Sequence, residues 1–175
     1  MNCTSNTRPA PLLPKFARLD ASHVAALADL DESTNAHPWT GKQWLDSLQQ
    51  HDCFGLWNNG QLAGFIVCMA TLDEAEVLLL AITPTLQSHG LGAQLLHYAE
   101  TTLAREGIRQ LFLEVRRSNT GARSFYARHG WQEAGCRKNY YPCDIETDAG
   151  EHITREDAIL CSKQLTHPAN NGAQP

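Results

Sequence analysis

The hydrophobic positions along the chain predict six β-strands. Short apolar or alternating runs bounded by Asn, Asp, Gly or Pro are typical of strands. An Asn58-Asn59-Gly60 turn joins the first two into a hairpin, and a polar loop over 144–150 separates the last two. The predicted strands are Cys53–Trp57, Leu62–Thr71, Glu76–Ile82, Gln110–Val115, Gln132–Tyr141 and Thr154–Gln164.

Apolar residues three or four positions apart predict four helices between these strands. Capping residues mark where they begin: Asp20, Thr40 and Asn119 each precede a periodic run. Leu91, Leu95, Tyr98 and Leu103 share one face of the third helix, which Gly107 ends. The other three helices are predicted at Ala21–Leu30, from Thr40 to Gln50, and at Thr120–His129, before Gly130.

The alternation of strands and helices predicts one α/β domain with a mixed sheet over residues 15–166. Residues 1–14 contain three prolines and little periodicity, which predicts a flexible leader. Residues 167–175 are polar and predict a disordered tail. No internal repeat or linker divides the chain.

Composition narrows the function classes. The net charge of −5 gives no broad basic surface for nucleic acid, and the longest apolar runs are too short to span a membrane. Six cysteines form no C-x-x-C pair, no His/Cys spacing suggests a metal, and no signal peptide is present. We therefore expect a cytoplasmic protein with reduced, mostly buried thiols and no metal.

The segment 84–92 predicts a phosphate site, because it opens a helix after a buried strand. Free backbone N–H groups lie at the positive end of the helix dipole, and Gly90 and Gly92 let an anion approach closely. The alternative is a tight turn without a ligand, since a lone Gly-x-Gly is a weak motif. No Lys-Ser/Thr follows, and Leu95 stands where a dinucleotide-binding fingerprint would have its third glycine.

Glu114 is a candidate general base. Side chains alternate along Leu111–Val115, so this carboxylate shares a face with Phe112 on an otherwise apolar strand. A partly buried carboxylate suits proton abstraction. The alternative is a solvated strand-end glutamate paired with Arg116 or Arg117.

Asn119 and Tyr126 are candidates of the following helix. Seven residues separate them, so they project from nearly the same side, where Phe125, Ala122 and His129 also lie. A phenol there can donate a proton to a leaving thiolate. The alternative is a core tyrosine with a satisfied hydroxyl and a plain capping asparagine.

Taken in order, these motifs resemble the GCN5-related N-acetyltransferase (GNAT) family over residues 17–165. The motif Gln87-x-x-Gly90-x-Gly92 is similar to the family's acetyl-CoA signature. Later elements resemble the bacterial members that acetylate the N-terminal alanine of a ribosomal protein. Those elements are His37-Pro38-Trp39-Thr40, Leu113-Glu114-Val115-Arg116, Ser118-Asn119, Phe125-Tyr126, Gly130-Trp131, Arg137-Lys138-Asn139-Tyr140-Tyr141-Pro142 and Arg155-Glu156-Asp157-Ala158-Ile159.

The resemblance implies a mixed sheet, flanked by about four helices, that splays into a V between the strands ending at Ile82 and Val115. Acetyl-CoA would enter this V as cosubstrate. Its pantetheine would pair with Leu80, Ala81 and Ile82. The remaining contacts to the cofactor would come from Gln87, Ser88, His89, Gly90, Leu91, Gly92, Ala93 and Asn119.

The resemblance also implies direct acetyl transfer, with Glu114 as base and Tyr126 as acid. The implied acceptor is the N-terminal alanine of a small-subunit ribosomal protein, contacted by Trp39, Tyr140 and Tyr141, on a monomeric or weakly dimeric enzyme. A lysine side chain or small amine is the alternative acceptor, and a non-catalytic acetyl-CoA-binding module the alternative of another class. Ser88 and Ala93 stand where relatives often carry arginines, which predicts either weaker cofactor binding or phosphate contacts supplied elsewhere.

Overall fold

The structure is a computed structural model that describes residues 14–146 and 152–166. Within these ranges the chain forms seven strands, four α-helices and two short 3-10 turns at Ala21–His23 and Pro84–Leu86. The strands are β1 Lys15–Arg18, β2 Asp52–Asn58, β3 Gln61–Thr71, β4 Glu74–Ile82, β5 Gln110–Arg116, β6 Gln132–Glu146 and β7 His152–Gln164. The helices are α1 Val24–Thr34, α2 Gly41–Gln50, α3 Leu91–Arg105 and α4 Thr120–Arg128.

All seven strands form one mixed sheet in the order β1-β2-β3-β4-β5-β7-β6. Only the central β4–β5 pair among these strands is parallel; each other neighbouring pair is antiparallel. The expected α/β domain with a mixed sheet and four helices is confirmed.

Helices cover both faces of the sheet and bury a separate cluster on each. On one face, Leu91, Leu95 and Leu103 of α3 pack with β5 and with Tyr126 of α4. On the other, Leu27 of α1 and Trp44 of α2 pack against β3. The apolar stripe predicted for α3 is therefore its buried face.

The sheet opens at its centre, as the resemblance implies. β4 and β5 pair only from Glu74↔Gln110 to Val77↔Leu113. A register shift between β3 and β4 leaves Leu78 without a partner on β3, and such a bulge bends the bulged strand. Beyond this point Leu79–Ile82 pair with β3 alone, so their edge towards β5 carries no strand.

Capping was predicted better than strand limits. Asp20 and Thr40 accept hydrogen bonds in capping boxes, and Asn119 caps α4. The first predicted helix ends at Thr34 rather than Leu30, since its final turn bonds onward to Asn35.

Two strand predictions were wrong. Sequence patterning missed β1, because only one of its four residues is strongly apolar and its pairing with β2 spans a long sequence separation. The predicted loop over 144–150 is partly wrong, since β6 continues to Glu146. Residues 147–150, the leader up to residue 13 and the tail 167–175 lie outside the described residues.

The cysteines divide between core and surface. Cys53, Cys68 and Cys161 are buried free thiols, whereas Cys136 is an exposed one. Burial raises the pKa of the Cys68 thiol, so it stays protonated and packs as a small apolar group. Cys3 lies outside the described residues.

Candidate active site

A cavity of about 720 Å³ lies where β4 and β5 part, between the start of α3 and α4. It brings together ten residues singled out from the sequence, from three separate segments of the chain. They are Leu80, Ala81, Ile82, Gln87, Ser88, Gly90, Gly92, Ala93, Asn119 and Tyr126.

The loop before α3 is shaped as a cradle for an anion. Ser88 and Gly90 have positive φ angles of 63° and 77°, which turn the chain sharply into the helix. The Gln87 amide donates to the Ile82 carbonyl at 2.9 Å and fixes the loop to the end of β4. Gly90 caps α3 without a side-chain hydrogen bond, so the first-turn N–H groups have no capping side chain, and Gly90, Gly92 and Ala93 all line the cavity.

Tyr126 lies at the inner wall of this cavity. Its ring is 9% exposed and packs against Phe125 and Trp131, with centroids at 5.2 and 5.6 Å. Burial raises the pKa of the Tyr126 phenol. The phenol therefore keeps its proton at neutral pH, as a proton donor requires.

Asn119 combines two roles that the sequence left as alternatives. Its Oδ1 accepts from the Ala122 N–H at 3.0 Å, which caps α4. The same residue lines the large cavity.

Glu114 lies on the opposite face of the sheet. It is the first β5 residue beyond the last β4–β5 pair, and Leu113 and Val115 on either side of it are buried under α3 and α4. Its side chain is 14% exposed and lines a second cavity of about 280 Å³, with Glu74 and Phe112. The base and acid candidates therefore reach the parted strands from opposite faces.

The partner of Glu114 is an arginine that sequence reasoning did not consider. Arg137 on β6 places Nη1 at 3.0 Å from Glu114 Oε1 and is 54% exposed. The expected partners bond elsewhere, Arg116 to Glu156 at 2.9 Å and Arg117 to Asp157 at 3.0 Å. The predicted alternative, in which Glu114 pairs with Arg116 or Arg117, is therefore wrong, because Glu114 pairs with Arg137.

The profile of the Acetyltransferase (GNAT) family matches residues 21–131. The ribosomal protein bS18-alanine N-acetyltransferase of Escherichia coli K12 is 35% identical over 152 residues, which cover 86% of this chain and 97% of that protein. The chain belongs to the GNAT family. The Haemophilus influenzae protein of the same name is 35% identical to this GNAT chain over 128 residues, 73% of this chain and 87% of that protein.

A solved structure agrees with this assignment. The crystal structure of the ribosomal-protein-S18-alanine N-acetyltransferase from Escherichia coli has a TM-score of 0.77 and 31% identity. The match covers 93% of this GNAT chain and 100% of that one.

Two aromatic candidates of this GNAT chain, Tyr140 and Tyr141, lie close to the pair formed by Glu114 and Arg137. The guanidinium of Arg137 lies 5.3 Å from the Tyr140 ring centroid, and that of Arg116 lies 4.5 Å from the ring of Tyr141. Burial raises the pKa of the Tyr141 phenol, and the Glu114 carboxylate is the next cause. Tyr141 thus lies near the Glu114 carboxylate and Tyr140 lies beside its partner Arg137, while their contact with the acceptor stays a prediction.

The Arg155-Glu156-Asp157 motif holds these tyrosines in place, a role that spacing alone did not indicate. Arg155 donates to the carbonyls of Asn139 and Tyr140, both at 2.7 Å. Asp157 Oδ1 accepts from the Asn139 N–H at 3.0 Å. Together they fix the irregular part of β6, where Asn139 has a φ of 52°.

Two predicted cofactor contacts, His89 and Leu91, do not line the large cavity, and Trp39, predicted to contact the acceptor, lies away from it as well. The His89 ring bonds to the Gln87 carbonyl at 2.7 Å and faces solvent, and the Leu91 side chain is buried in the core. Trp39 packs on Trp44, with centroids 5.0 Å apart, beside the α1–α2 connection.

Sequence reasoning missed part of the cavity wall. Arg128 also lines the cavity, where neither Ser88 nor Ala93 supplies a charge. Helical spacing had placed Ala122, Phe125 and His129 on the side of Tyr126, whereas Gly121 and Arg128 of α4 were not singled out. The additional lining residues are Thr34, Gly121, Ala122, Phe125, Arg128 and His129.

Within residues 14–146 and 152–166, no three His, Cys, Asp or Glu side chains are grouped so as to hold a metal ion. Every helix in this part of the chain is too short or too polar to reach across a lipid bilayer.

Proposed function

We propose that this protein transfers the acetyl group of acetyl-CoA to the N-terminal alanine of the small-subunit ribosomal protein bS18. The observation that carries the proposal is the parting of β4 and β5, with Tyr126 on one face and Glu114 on the other. The acceptor is inferred from relatives named for that reaction, at 35% identity over 86% of this chain.

The large cavity fits acetyl-CoA in shape and chemistry. A side chain at Gly90 or Gly92 would occupy the approach to the α3 N-terminus, whose N–H groups favour a pyrophosphate. Arg128 would supply a charge-assisted contact to phosphate. The free edge of β4 at Leu80–Ile82 offers backbone groups to the pantetheine amides.

Acetyl-CoA supplies an activated acetyl thioester, and the protein has to manage two protons. An α-ammonium with a pKa of about 8 is not a nucleophile until it is deprotonated. Glu114 takes that proton, and the free amine forms the new C–N bond. As the C–S bond breaks, Tyr126 gives its proton to the departing sulfur, and the second proton that the attacking nitrogen loses restores the Tyr126 phenol. No covalent bond to the protein is needed.

The test is incubation of purified bS18 with the protein and acetyl-CoA, followed by mass spectrometry of the N-terminal peptide. We expect one added acetyl group on the alanine nitrogen. Free lysine and spermidine, assayed for thiol release, test the alternative acceptors.

Binding of acetyl-CoA by calorimetry without transfer to any acceptor would contradict the proposal and favour a binding module. Absence of binding as well would remove the large cavity as the cofactor site.

A further inference from the structure

A third cavity, of about 160 Å³, lies between the end of α1 and the free part of β4. Three of its lining residues, Thr34, Leu80 and Ala81, also line the large cavity. A group bound in the small cavity would therefore lie next to whatever occupies the large one at the parted strands.

Asp31 of α1 lines this small cavity, and only one of its two carboxylate oxygens has a hydrogen-bond partner among the described residues. The residue is 1% exposed, and Oδ2 accepts from the Trp39 N–H at 2.8 Å. Oδ1 is buried and has no hydrogen-bond partner among the described residues. Leaving a buried acceptor without a hydrogen bond costs free energy. Because Asp31 lines the small cavity, a ligand with a donor group bound there would remove that cost.

The rest of the small cavity favours a small apolar group beside that donor. Phe65, Leu79 and Ala81 form apolar wall, and Thr34 and Asn35 lie at the α1 end. The volume limits the occupant to a few heavy atoms. An ammonium on a carbon that carries one methyl group matches both the oxygen and the wall.

We propose that this cavity receives the first residue of the acceptor, with Asp31 Oδ1 accepting a hydrogen bond from its terminal ammonium. The inference rests on the proposed function and names one residue of its acceptor site. Asp31 then holds the ammonium near the free edge of β4 until Glu114 takes its proton, and its other oxygen fixes the α1–α2 connection at Trp39.

The test compares Asp31→Asn with Asp29→Asn, the same change at an exposed position of the same helix. The asparagine keeps an oxygen for the Trp39 N–H but presents an NH₂ donor to the cavity. Calorimetry with saturating coenzyme A measures binding of the bS18 N-terminal peptide and of its analogue without the α-amine. The wild type should prefer the amine by about 10- to 100-fold.

Asp31→Asn should lose most of that preference, while Asp29→Asn keeps it. Thermal melts confirm that the variants are folded, and a loss of preference by both variants overturns the inference. A second measurement needs no variant: wild-type kcat/KM should fall at least about tenfold when the first residue is leucine instead of alanine.

Retention of the preference by Asp31→Asn, or a change only in the KM for acetyl-CoA, overturns the inference. Either result leaves the proposed function standing if the bS18 alanine is still acetylated. Absence of that acetylation in the wild-type protein is the separate failure of the proposed function.

Discussion

Glu114 is the residue on which proton removal from the acceptor depends in the proposed reaction. Changing Glu114 to Gln keeps the size of the side chain but removes its ability to accept a proton. We expect kcat for bS18 to fall by about 10²–10⁴-fold, with little change in acetyl-CoA affinity, because the large cavity lies on the other face. Steady-state kinetics and calorimetry with acetyl-CoA measure the two effects.

The matched control for this change is Glu106→Gln, which alters an exposed carboxylate paired with Arg18. It should leave kcat unchanged. Undiminished turnover of Glu114→Gln would exclude that carboxylate as the base.

Tyr126 is the proposed proton donor on the other face. Tyr126→Phe retains the ring that packs against Trp131, so the melting temperature should hold while kcat falls by about a hundredfold. Because burial raises the pKa of this phenol, ionisation of Tyr126 should not limit the rate near neutral pH. Tyr98→Phe, at a ring stacked on Phe16, is the control. A fully active Tyr126→Phe protein would show that the thiolate leaves without this acid.

At the scale of elements, the first turn of α3 is the feature expected to bind the pyrophosphate. A Cβ at Gly92 would lie 3.6 Å from Ile82 and 3.7 Å from Phe125, which is ordinary contact. Gly92→Ala should therefore stabilise the helix by about 0.5–1 kcal/mol, yet raise the KM for acetyl-CoA by obstructing the backbone.

Gly41→Ala gives the comparison for that prediction. Gly41 begins α2, where a Cβ meets nothing within 4 Å, so stability should rise without any change in KM. Thermal melts and acetyl-CoA titrations measure both variants. If Gly92→Ala binds acetyl-CoA as tightly as the wild type, the α3 turn is not the pyrophosphate site.

Local chemistry explains which elements could be predicted from the sequence. The cap at Thr40 is fixed within four residues, because the Gln43 N–H donates to Thr40 Oγ1 and Gln43 Oε1 accepts from the Thr40 N–H. β1 instead depends on pairing with Trp57 and its neighbours, some 40 positions away. Its four residues are too few to show the alternation of apolar and polar positions that predicts a strand.

The same distinction applies to the candidate site. The glycine loop is local, and its place at the start of α3 was predicted. The pairing of Glu114 with Arg137 depends on how β6 lies beside β7, and the small cavity at Asp31 depends on α1 packing over β4. The spacing of residues along the chain predicts neither the Glu114–Arg137 pair nor the cavity at Asp31, because both depend on how distant elements pack.

At the scale of the whole molecule, the gap between β4 and β5 can be reached from both faces of the sheet, each with its own layer of helices. The large cavity opens between α3 and α4, whereas Glu114 faces the side that α1 and α2 cover. A thioester and an amine can thus meet between the strands without sharing one entrance. The end of the sheet formed by β7 and β6 carries Arg137, the ion-pair partner of Glu114, so the position of this end bears on the proposed base.

The rigidity of that end depends on Asp157, and this gives a pH-dependent prediction for the stability of the domain. The Asn139 N–H is the largest cause that lowers the Asp157 pKa, to about 2, and Lys138 and Arg117 add to it. The unfolded chain takes up this proton first, near pH 3.9. The stabilisation is therefore complete above about pH 4 and is lost as the pH falls through about 2.

Asp157→Asn mimics the protonated carboxyl, so its deficit in unfolding free energy against the wild type should shrink in that window. Urea unfolding of both proteins between about pH 6 and about pH 2 measures the deficit. Asp157 also fixes the strand segment beneath Tyr140, so the variant should raise the KM for the bS18 peptide at neutral pH while leaving that for acetyl-CoA unchanged. A deficit that stays constant across the whole pH range would contradict the assignment of the ionised carboxylate as the group that holds β6 in place.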